Sequence, residues 1–396
     1  SGVRPAKLMD AYLREGLSPR AAKGRFMREY FVSGSRAQLC LDAALAAQEA
    51  ARSLDERDVC LYVGIPFCPT RCAYCSFVSQ SVEKSMKLME PFLDALLLDI
   101  RATAAETRRA GLRPVALYMG GGTPTTLSAA QLDRLCAALE REFDLSALRE
   151  YTVEAGRPDT ITAEKLRVLR AHGVGRVSVN PQTMSDSVLE AIGRRHTAQD
   201  ILDCYRTARR VGHDNINMDL IAGLPGDTVE GFRHSLQTAI DLDPENITVH
   251  TLTLKRASNL VVEHRAADYA DVAAMVESCE LLEKAGYRPY YLYRQKGTLQ
   301  NLENVGWCKP GYECLYNIYI MEEVHTILSA GAGGSTKLVA PGARHGKIER
   351  IFNYKYPTEY IDRFDTILAR KEGVKQFYDQ YPSCGESARP QAHGGV

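Results

Sequence analysis

The sequence predicts an α/β protein whose main part is a partial (β/α)6 barrel, with a helical segment before it and a smaller α+β region after it. Six short apolar runs alternate with segments of helical periodicity, and this alternation favours right-handed crossovers and a parallel sheet. Six units fall short of the eight of a closed barrel, so we expect an open barrel with its functional site at the carboxyl ends of the strands.

The chain divides into four predicted parts: a helical N-terminal segment (1–57), the barrel (58–260), a C-terminal region that covers the substrate (261–382) and a disordered tail (383–396). The predicted strands lie at "CLYVGI", "VALYMG", "YTVEAG", "GRVSVNP", "NINMDLIAG" and "NITVHTL". The predicted helices between them include Leu127–Phe143, Ala163–His172 and Val229–Asp241. After the barrel, a helical stretch (Ala267–Gly286) precedes the Tyr-rich "YRPYYLYRQK" and the Gly-rich "LSAGAGGSTKL".

The charge balance excludes several classes of partner. Lys and Arg together number 49 in the 396 residues, and so do Asp and Glu, so no global field attracts nucleic acid or an anionic membrane. No apolar run reaches the length of a membrane-spanning helix, and the N-terminus lacks the features of a signal peptide. We therefore expect a cytoplasmic monomer that binds small molecules.

Three cysteines form the most specific motif. "PFCPTRCAYCSF" places Cys68, Cys72 and Cys75 in a C-x3-C-x2-C array directly after a strand. A structural zinc site takes four ligands, and no fourth ligand stands at suitable spacing nearby. Three thiolates suit a [4Fe-4S] cluster with one open iron, which the amino and carboxylate groups of S-adenosylmethionine (SAM) chelate well. A three-thiolate zinc site completed from elsewhere in the chain is the alternative.

With Tyr62 before the array and Tyr74 inside it, the motif resembles that of the radical SAM superfamily. "YVGIPFCPTRCAYCSF" is similar in particular to the oxygen-independent coproporphyrinogen III dehydrogenase group, and the resemblance extends over residues 59–338. It implies a [4Fe-4S] cluster on the three cysteines and SAM bound beside it.

A Gly-rich loop and a set of polar residues at strand ends complete the predicted SAM site. In "YMGGGTPT", Gly121, Gly122 and Thr123 match the family motif that binds the amino end of SAM, and a glycine run lets backbone approach a ligand closely. A tight strand-to-helix turn is the alternative interpretation. Glu154 is a carboxylate in an apolar run and needs a cationic or hydrogen-bonding partner, and the ammonium of SAM would be such a partner.

Three further residues match family positions. Gln182 follows the fourth predicted strand, Arg194 is spaced to pair with the methionine carboxylate, and Asp219 suits the ribose hydroxyls. Each charged residue alone is equally typical of a structural ion pair. Their occurrence together at strand ends favours ligand contacts.

The substrate side is less specific. Coproporphyrinogen carries four propionates, so its pocket needs cations around an apolar cavity. The candidates near strand ends or in the Tyr-rich segment are Arg195, His196, Lys255, Arg256, Arg294 and Lys296, although solvated surface charge is the more usual role of any single one. Cys308 and Cys314 flank "KPGYE" and offer only two thiols for a second cluster or a redox pair.

The resemblance implies oxidative decarboxylation of coproporphyrinogen III to protoporphyrinogen IX, with an electron donor of the flavodoxin or ferredoxin type. Two departures qualify it. Phe77 stands where the well-studied oxidases carry a further Cys, as it does in the haem chaperones of the superfamily. Those chaperones carry an H-N-x-x-Y-W motif, whereas the stretch from Tyr316 to Ile320 lacks both its His and its Trp. A haem chaperone, or another radical reaction such as methylation or tetrapyrrole ring opening, remains the alternative.

Overall fold

The structure, a computed structural model, describes residues 4–75, 80–254, 271–341 and 347–381. In that part of the chain, eleven strands form one sheet in the order β13-β12-β11-β1-β4-β5-β6-β7-β8-β10-β9, and β2 and β3 form a separate pair. The strands are β1 Asp58–Ile65, β2 Phe67–Cys68, β3 Gln80–Ser81, β4 Arg113–Gly121, β5 Glu150–Gly156, β6 Arg176–Val179, β7 Ile216–Ala222, β8 Asn246–Thr251, β9 Arg288–Tyr293, β10 Asn304–Cys308, β11 Ile327–Gly331, β12 Ser335–Val339 and β13 Ile348–Phe352.

The centre of the sheet is parallel and its edges are antiparallel. Strands β1 and β4 to β8 pair in parallel and correspond to the six predicted strands. Strand β11 joins them in parallel beside β1, while β12 and β13 at one edge and β10 and β9 at the other are antiparallel. The predicted α/β class is confirmed. Strands from beyond residue 260 extend the same sheet at both edges, and the predicted domain boundaries stay predictions.

Helices cross between successive parallel strands, and local sequence signals fix their ends. The described helices are Pro5–Arg14, Pro19–Tyr30, Gly34–Arg52, Val82–Ser85, Met89–Arg109, Ala129–Glu142, Ala163–Ala171, Asp186–Ala191, Ala198–Val211, Val229–Asp241, Val272–Glu277, Glu280–Lys284, Leu315–Glu322, Pro357–Asp362, Phe364–Lys371 and Gly373–Tyr378. Ser128 with Gln131, and Thr197 with Asp200, form capping boxes that satisfy the free backbone donors of a first turn. None of the described helices has the length and apolar character needed to cross a membrane.

The two faces of the parallel sheet differ in character. Alternate side chains of a strand point to opposite faces. Val153, Val177 and Met218 belong to the large apolar core that the crossover helices cover. Their neighbours Thr152, Ser178 and Asp219 lie on the other, concave face, which is polar along much of its length. The interior of the partial barrel therefore offers hydrogen-bonding groups, while the outer layer supplies the hydrophobic stabilisation.

One helix from the C-terminal region lies against this concave side. Leu315–Glu322, here called the cavity helix, packs against β4, β9 and Gly34–Arg52. A second apolar cluster surrounds it and includes Tyr290, Tyr316 and Tyr319. Alanines of Gly34–Arg52 lie in the same cluster, because their small side chains let that helix approach closely.

Candidate functional site

The carboxyl ends of the parallel strands surround one cavity of about 380 Å³. Eleven of the twelve predicted cluster and SAM residues line it: Cys68, Cys72, Tyr74, Cys75, Gly121, Gly122, Thr123, Glu154, Gln182, Arg194 and Asp219. Tyr62 lies behind the wall, where its ring stacks on Tyr118 at 6.3 Å and on Tyr316 at 5.9 Å between centroids. Residues far apart in the sequence thus meet at one place, although their roles toward a ligand stay predictions.

Hydrogen-bond donors from two strand ends face the sulfur atoms of the cysteine loop (Cys68 to Cys75). The Thr123 hydroxyl donates to Sγ of Cys68 at 3.5 Å, and Nη1 of buried Arg157 donates to Sγ of Cys72 at 3.9 Å. The same Arg157 nitrogen holds the loop through the Thr70 carbonyl at 3.0 Å. A hydroxyl and a guanidinium next to sulfur are the kind of outer partners that orient the ligands of a metal site.

The three thiols are not gathered about a single point. Among the described residues, no three His, Cys, Asp or Glu side chains are close enough together to hold one metal ion. The cysteines therefore share the cavity wall without forming a mononuclear site in this structure.

The Gly-rich loop at the end of β4 packs against the segment from Ile65 to Phe67, which leads into the cysteine loop. The Gly122 amide donates to the Ile65 carbonyl at 2.6 Å and the Thr123 amide to the Phe67 carbonyl at 2.7 Å. A Cβ on Gly122 would lie 2.4 Å from the Phe67 oxygen, and Gly121 has φ 106°. The glycines line the cavity as predicted, yet the close approach that requires them is to the protein's own backbone. They fix the base of the cysteine loop.

Glu154 is the most strongly perturbed carboxyl of the cavity wall. Burial raises its pKa to about 7, with a smaller contribution from the negative charge of Asp219, and the hydrogen bond from Tyr118 opposes this shift. Little free space remains beside the carboxylate, because a Cβ on Gly120 would lie 2.7 Å from Oε2 of Glu154. A cationic ligand would favour the ionised form of Glu154, and its predicted contact with the ammonium of SAM stays a prediction.

Asp219 is held ionised by its neighbours. Burial raises its pKa, but His250, Asn217 and Thr248 together bring the pKa below its usual value. Nδ2 of Asn217 donates to Oδ1 at 2.8 Å, and Nε2 of His250 lies 3.7 Å from Oδ2. Gln182 lies beside this strand, because its backbone amide donates to the Asp219 carbonyl at 2.8 Å. Its φ of 68° places its backbone in the left-handed region. An ionised carboxylate accepts hydrogen bonds only, so Asp219 suits the hydroxyl groups of a ribose.

Buried polar atoms on the wall provide a test of whether SAM fits. Arg194 donates from Nη1 to the Asn180 carbonyl at 2.8 Å and from Nη2 to the Tyr74 hydroxyl at 3.3 Å. Within the described residues, Nε of Arg194, Oγ of Ser178 and Oδ1 of Asn180 are buried without a partner. Unpaired buried polar groups are costly unless a ligand or water satisfies them. This wall therefore fits a ligand with a charged, polar end, as SAM has.

Several cavity residues were missed from the sequence. Arg157 follows β5, and His250 is a polar residue within a strand, so both carried the signal that identified Glu154 and Asp219. Tyr118, Tyr291 and Tyr293 also line the cavity, as do Asn304, Asn317 and Met321. Their aromatic and amide side chains have no distinctive spacing, so no sequence pattern groups them.

The predicted substrate cations are not brought together. Arg195, His196, Arg294 and Lys296 are not among the residues that line the cavity in the described part of the chain. His196 is buried, and burial with the nearby Arg194 charge lowers its pKa to about 4. Lys255, Arg256, Phe77 and the predicted tail lie outside the described residues.

Cys308 and Cys314 are both buried in the cluster around the cavity helix. Burial raises the pKa of both thiols above the usual range. The neutral thiol is thereby favoured, which disfavours their use as ligands of a second cluster.

Comparisons with known proteins agree with this geometry. A model of the radical SAM superfamily matches residues 62–239. The oxygen-independent coproporphyrinogen-III oxidase-like protein HemZ of Bacillus subtilis is 42% identical over 380 residues, which cover 94% of this chain and 75% of HemZ. The heme chaperone HemW of the same organism is 39% identical over 336 residues, which cover 83% of this chain and 84% of HemW.

Among solved structures, coproporphyrinogen III oxidase (HemN) from Escherichia coli superposes with a TM-score of 0.63 at 23% identity, over 85% of this chain and 82% of HemN. This likeness confirms the fold. The chain belongs to the radical SAM superfamily, in the group that includes HemZ and HemW. That family implies a [4Fe-4S] cluster and SAM.

Proposed function

We propose that the chain is a radical SAM oxidoreductase that decarboxylates two propionates of coproporphyrinogen III to the vinyl groups of protoporphyrinogen IX. The observation that carries the proposal is the cavity at the strand ends of the described residues. Its wall has the three cysteines and the polar SAM residues, and it continues into the aromatic and amide groups of Tyr291, Tyr293 and Asn317. Those groups suit a second, ring-shaped molecule next to SAM.

In this proposal, different residues of the cavity wall bind different parts of the cofactors. Cys68, Cys72 and Cys75 would hold the [4Fe-4S] cluster. Glu154 would bind the ammonium of SAM, Arg194 its carboxylate and Asp219 its ribose hydroxyls. When bound, the cluster and SAM supply a reductive cleavage of the sulfonium that leads to abstraction of a hydrogen atom from the substrate.

The protein itself would contribute by positioning the substrate next to SAM and by excluding water from the cavity. For each propionate, one hydrogen atom leaves the β-carbon, carbon dioxide leaves the carboxylate, and one further electron passes to an acceptor. The wall must therefore hold a β-carbon beside the SAM residues. A flavodoxin or ferredoxin is the proposed source of the electron that reduces the cluster.

The position of Tyr316 favours this reaction over haem transfer. Tyr316 occupies the place of the chaperone histidine, and its buried ring stacks on Tyr118 at 4.2 Å between centroids. Its environment is an aromatic stack, and a phenol with a pKa raised by burial is a poor iron ligand. The similarity to HemW keeps the chaperone as the second candidate.

The decisive experiment is anaerobic incubation of cluster-loaded protein with SAM, a reductant and coproporphyrinogen III. We expect 5′-deoxyadenosine and a product lighter by two carboxyl groups and two hydrogen atoms, as measured by mass spectrometry. Omission of SAM is the control. Tight stoichiometric haem binding, with 5′-deoxyadenosine formed but no porphyrinogen consumed, would identify a chaperone. A product that has gained a methyl group or lost its macrocycle would identify another radical reaction.

A further inference from the structure

The cavity helix has no capping side chain of its own. It begins at Leu315, and the side chain of the preceding residue, Cys314, makes no capping hydrogen bond. The first backbone amides of a helix lack partners within the helix and need an acceptor from elsewhere. Here the acceptor is Glu150, at the start of β5.

Both oxygen atoms of the Glu150 carboxylate are used. Oε2 accepts from the Leu315 amide at 2.7 Å, and Oε1 accepts from the Tyr316 amide at 3.2 Å and from the Cys314 thiol at 3.3 Å. The carboxylate is buried, and an anion at this end also interacts favourably with the helix dipole. A residue 165 positions earlier in the chain thus caps the helix.

Arg176 completes this anchor. Its Nη1 donates to Oε2 of Glu150 at 3.4 Å, and its Nη2 donates to the Tyr312 carbonyl at 2.7 Å, just before the helix. The guanidinium is buried, so it compensates the carboxylate while holding the segment that enters the helix. Glu150 and Arg176 together fix where the helix starts.

The helix that is anchored in this way carries part of the cavity wall. Asn317 and Met321, four residues apart and so on one helical face, both line the cavity. Tyr316 stacks on Tyr118, whose hydroxyl donates to Glu154. A shift of the helix start would therefore move two wall residues and disturb the support of a predicted SAM contact.

We infer that Glu150 is a positioning residue, which sets the place of Asn317 and Met321 against the tetrapyrrole by capping the cavity helix. The inference rests on the proposed function for the identity of that ligand. Glu150 itself is not among the residues that line the cavity in the described part of the chain. Glu150 acts through the backbone of the cavity helix. It is therefore not one of the ligand-binding residues that a sequence motif describes.

The test compares E150Q with D58N. The Gln side chain is isosteric but presents one NH2 group to a site that needs two acceptors, so the helix start should loosen. Asp58 is a matched control, because it is also buried at the start of a parallel strand, and among the described residues its carboxylate accepts from the Asp55 amide, Arg113 and Arg149 and not from the backbone of the cavity helix. Hydrogen–deuterium exchange of residues 315–322 and the affinity for coproporphyrin III are measured in both variants.

We expect faster exchange at the helix start and about tenfold weaker coproporphyrin III binding in E150Q, corresponding to about 1.4 kcal/mol. D58N should lose stability without either change. If E150Q does not fold, E150D retains the charge at shorter reach and carries the same measurements with smaller expected changes.

Unchanged exchange at the cavity helix, or faster exchange with unchanged affinity, would overturn the inference. Equal loss of affinity in E150Q and D58N would do so as well, because it would indicate a general loss of structure. A wild type that binds coproporphyrin III but does not convert coproporphyrinogen contradicts the proposed reaction alone. A wild type that does not bind it contradicts both.

Discussion

The cysteine loop and the cavity helix form two parts of one cavity wall and are built in opposite ways. The loop presents three sulfur atoms from eight consecutive residues, Cys68 to Cys75, so one short motif contains its chemistry. The helix presents Asn317 and Met321, but its position depends on Glu150 at one end and Glu323 at the other. Local sequence defines the first part, and contacts between distant residues define the second.

The two parts also differ in how they are held. Single donors from strand ends, Thr123 and Arg157, face the sulfur atoms. The cavity helix ends at Glu322. The next residue, Glu323, has φ 53° and a carboxylate that pairs with Arg4, Lys7, Lys337 and Arg350. The predicted cluster ligands are thus local in the sequence, while the wall that faces them depends on distant residues.

The largest expected effect comes from substituting the cysteines of the cysteine loop. Replacing Cys68, Cys72 or Cys75 by Ala should remove the charge-transfer absorption of the cluster and lower SAM cleavage by more than about 100-fold, since loss of even an outer partner of a metal ligand costs about 10–100-fold. Absorbance and iron content measure the loss of the cluster, and release of 5′-deoxyadenosine measures SAM cleavage. C204A, at a buried cysteine outside the cavity, is the control. A full cluster in any of the three variants would contradict the ligand assignment.

A smaller effect is expected between the two parts, at the predicted SAM contacts. D219N and R194A should weaken SAM binding by roughly 10- to 100-fold while the cluster remains, because a hydrogen bond to a charged group contributes about 1.5–3 kcal/mol. Equilibrium binding of SAM measures this, with D241N at an exposed position as the control. Unchanged affinity in both variants would mean that the two charges serve the fold.

The smallest effect, on stability alone, is expected at the far end of the cavity helix. Despite burial, hydrogen bonds from Arg4 and Lys7 hold the pKa of Glu323 down at about 2. A carboxyl whose pKa is lower in the folded protein than in the unfolded chain stabilises the fold when the pH is above the ordinary pKa, near 4.5. This stabilisation disappears as the pH falls toward 2. E323Q should therefore lower the free energy of unfolding by about 2–3 kcal/mol at pH 7, with the difference shrinking below pH 4.5.

Denaturant unfolding at several pH values checks this dependence. E49Q is the matched control, because Glu49 pairs with Arg52 on an exposed helix face and should contribute less than about 0.5 kcal/mol. A pH-independent difference for E323Q would show that shape, and not charge, matters at this position.

Much of the fold could be predicted from the sequence because its signals are local. The six apolar runs became the parallel strands, and the predicted helix Val229–Asp241 has the observed bounds. Ala163–Ala171 ends one residue before the prediction. Periodicity and capping residues act within a few residues of each other, so they can be recognised along the chain. The convergence of Cys72, Glu154 and Asp219 followed from the rule that parallel strands share one carboxyl edge.

The sequence by itself determined the α/β class, the cysteine array and the strand-end polar residues. Only the tertiary structure decided that β9 to β13 extend the sheet, that Gly122 packs on the Phe67 carbonyl, and that Arg157 faces Cys72. It also decided that Glu150 caps a helix from the other end of the chain. Such contacts depend on how distant segments meet, and a buried carboxylate looks the same in the sequence whether it binds a ligand or a backbone amide.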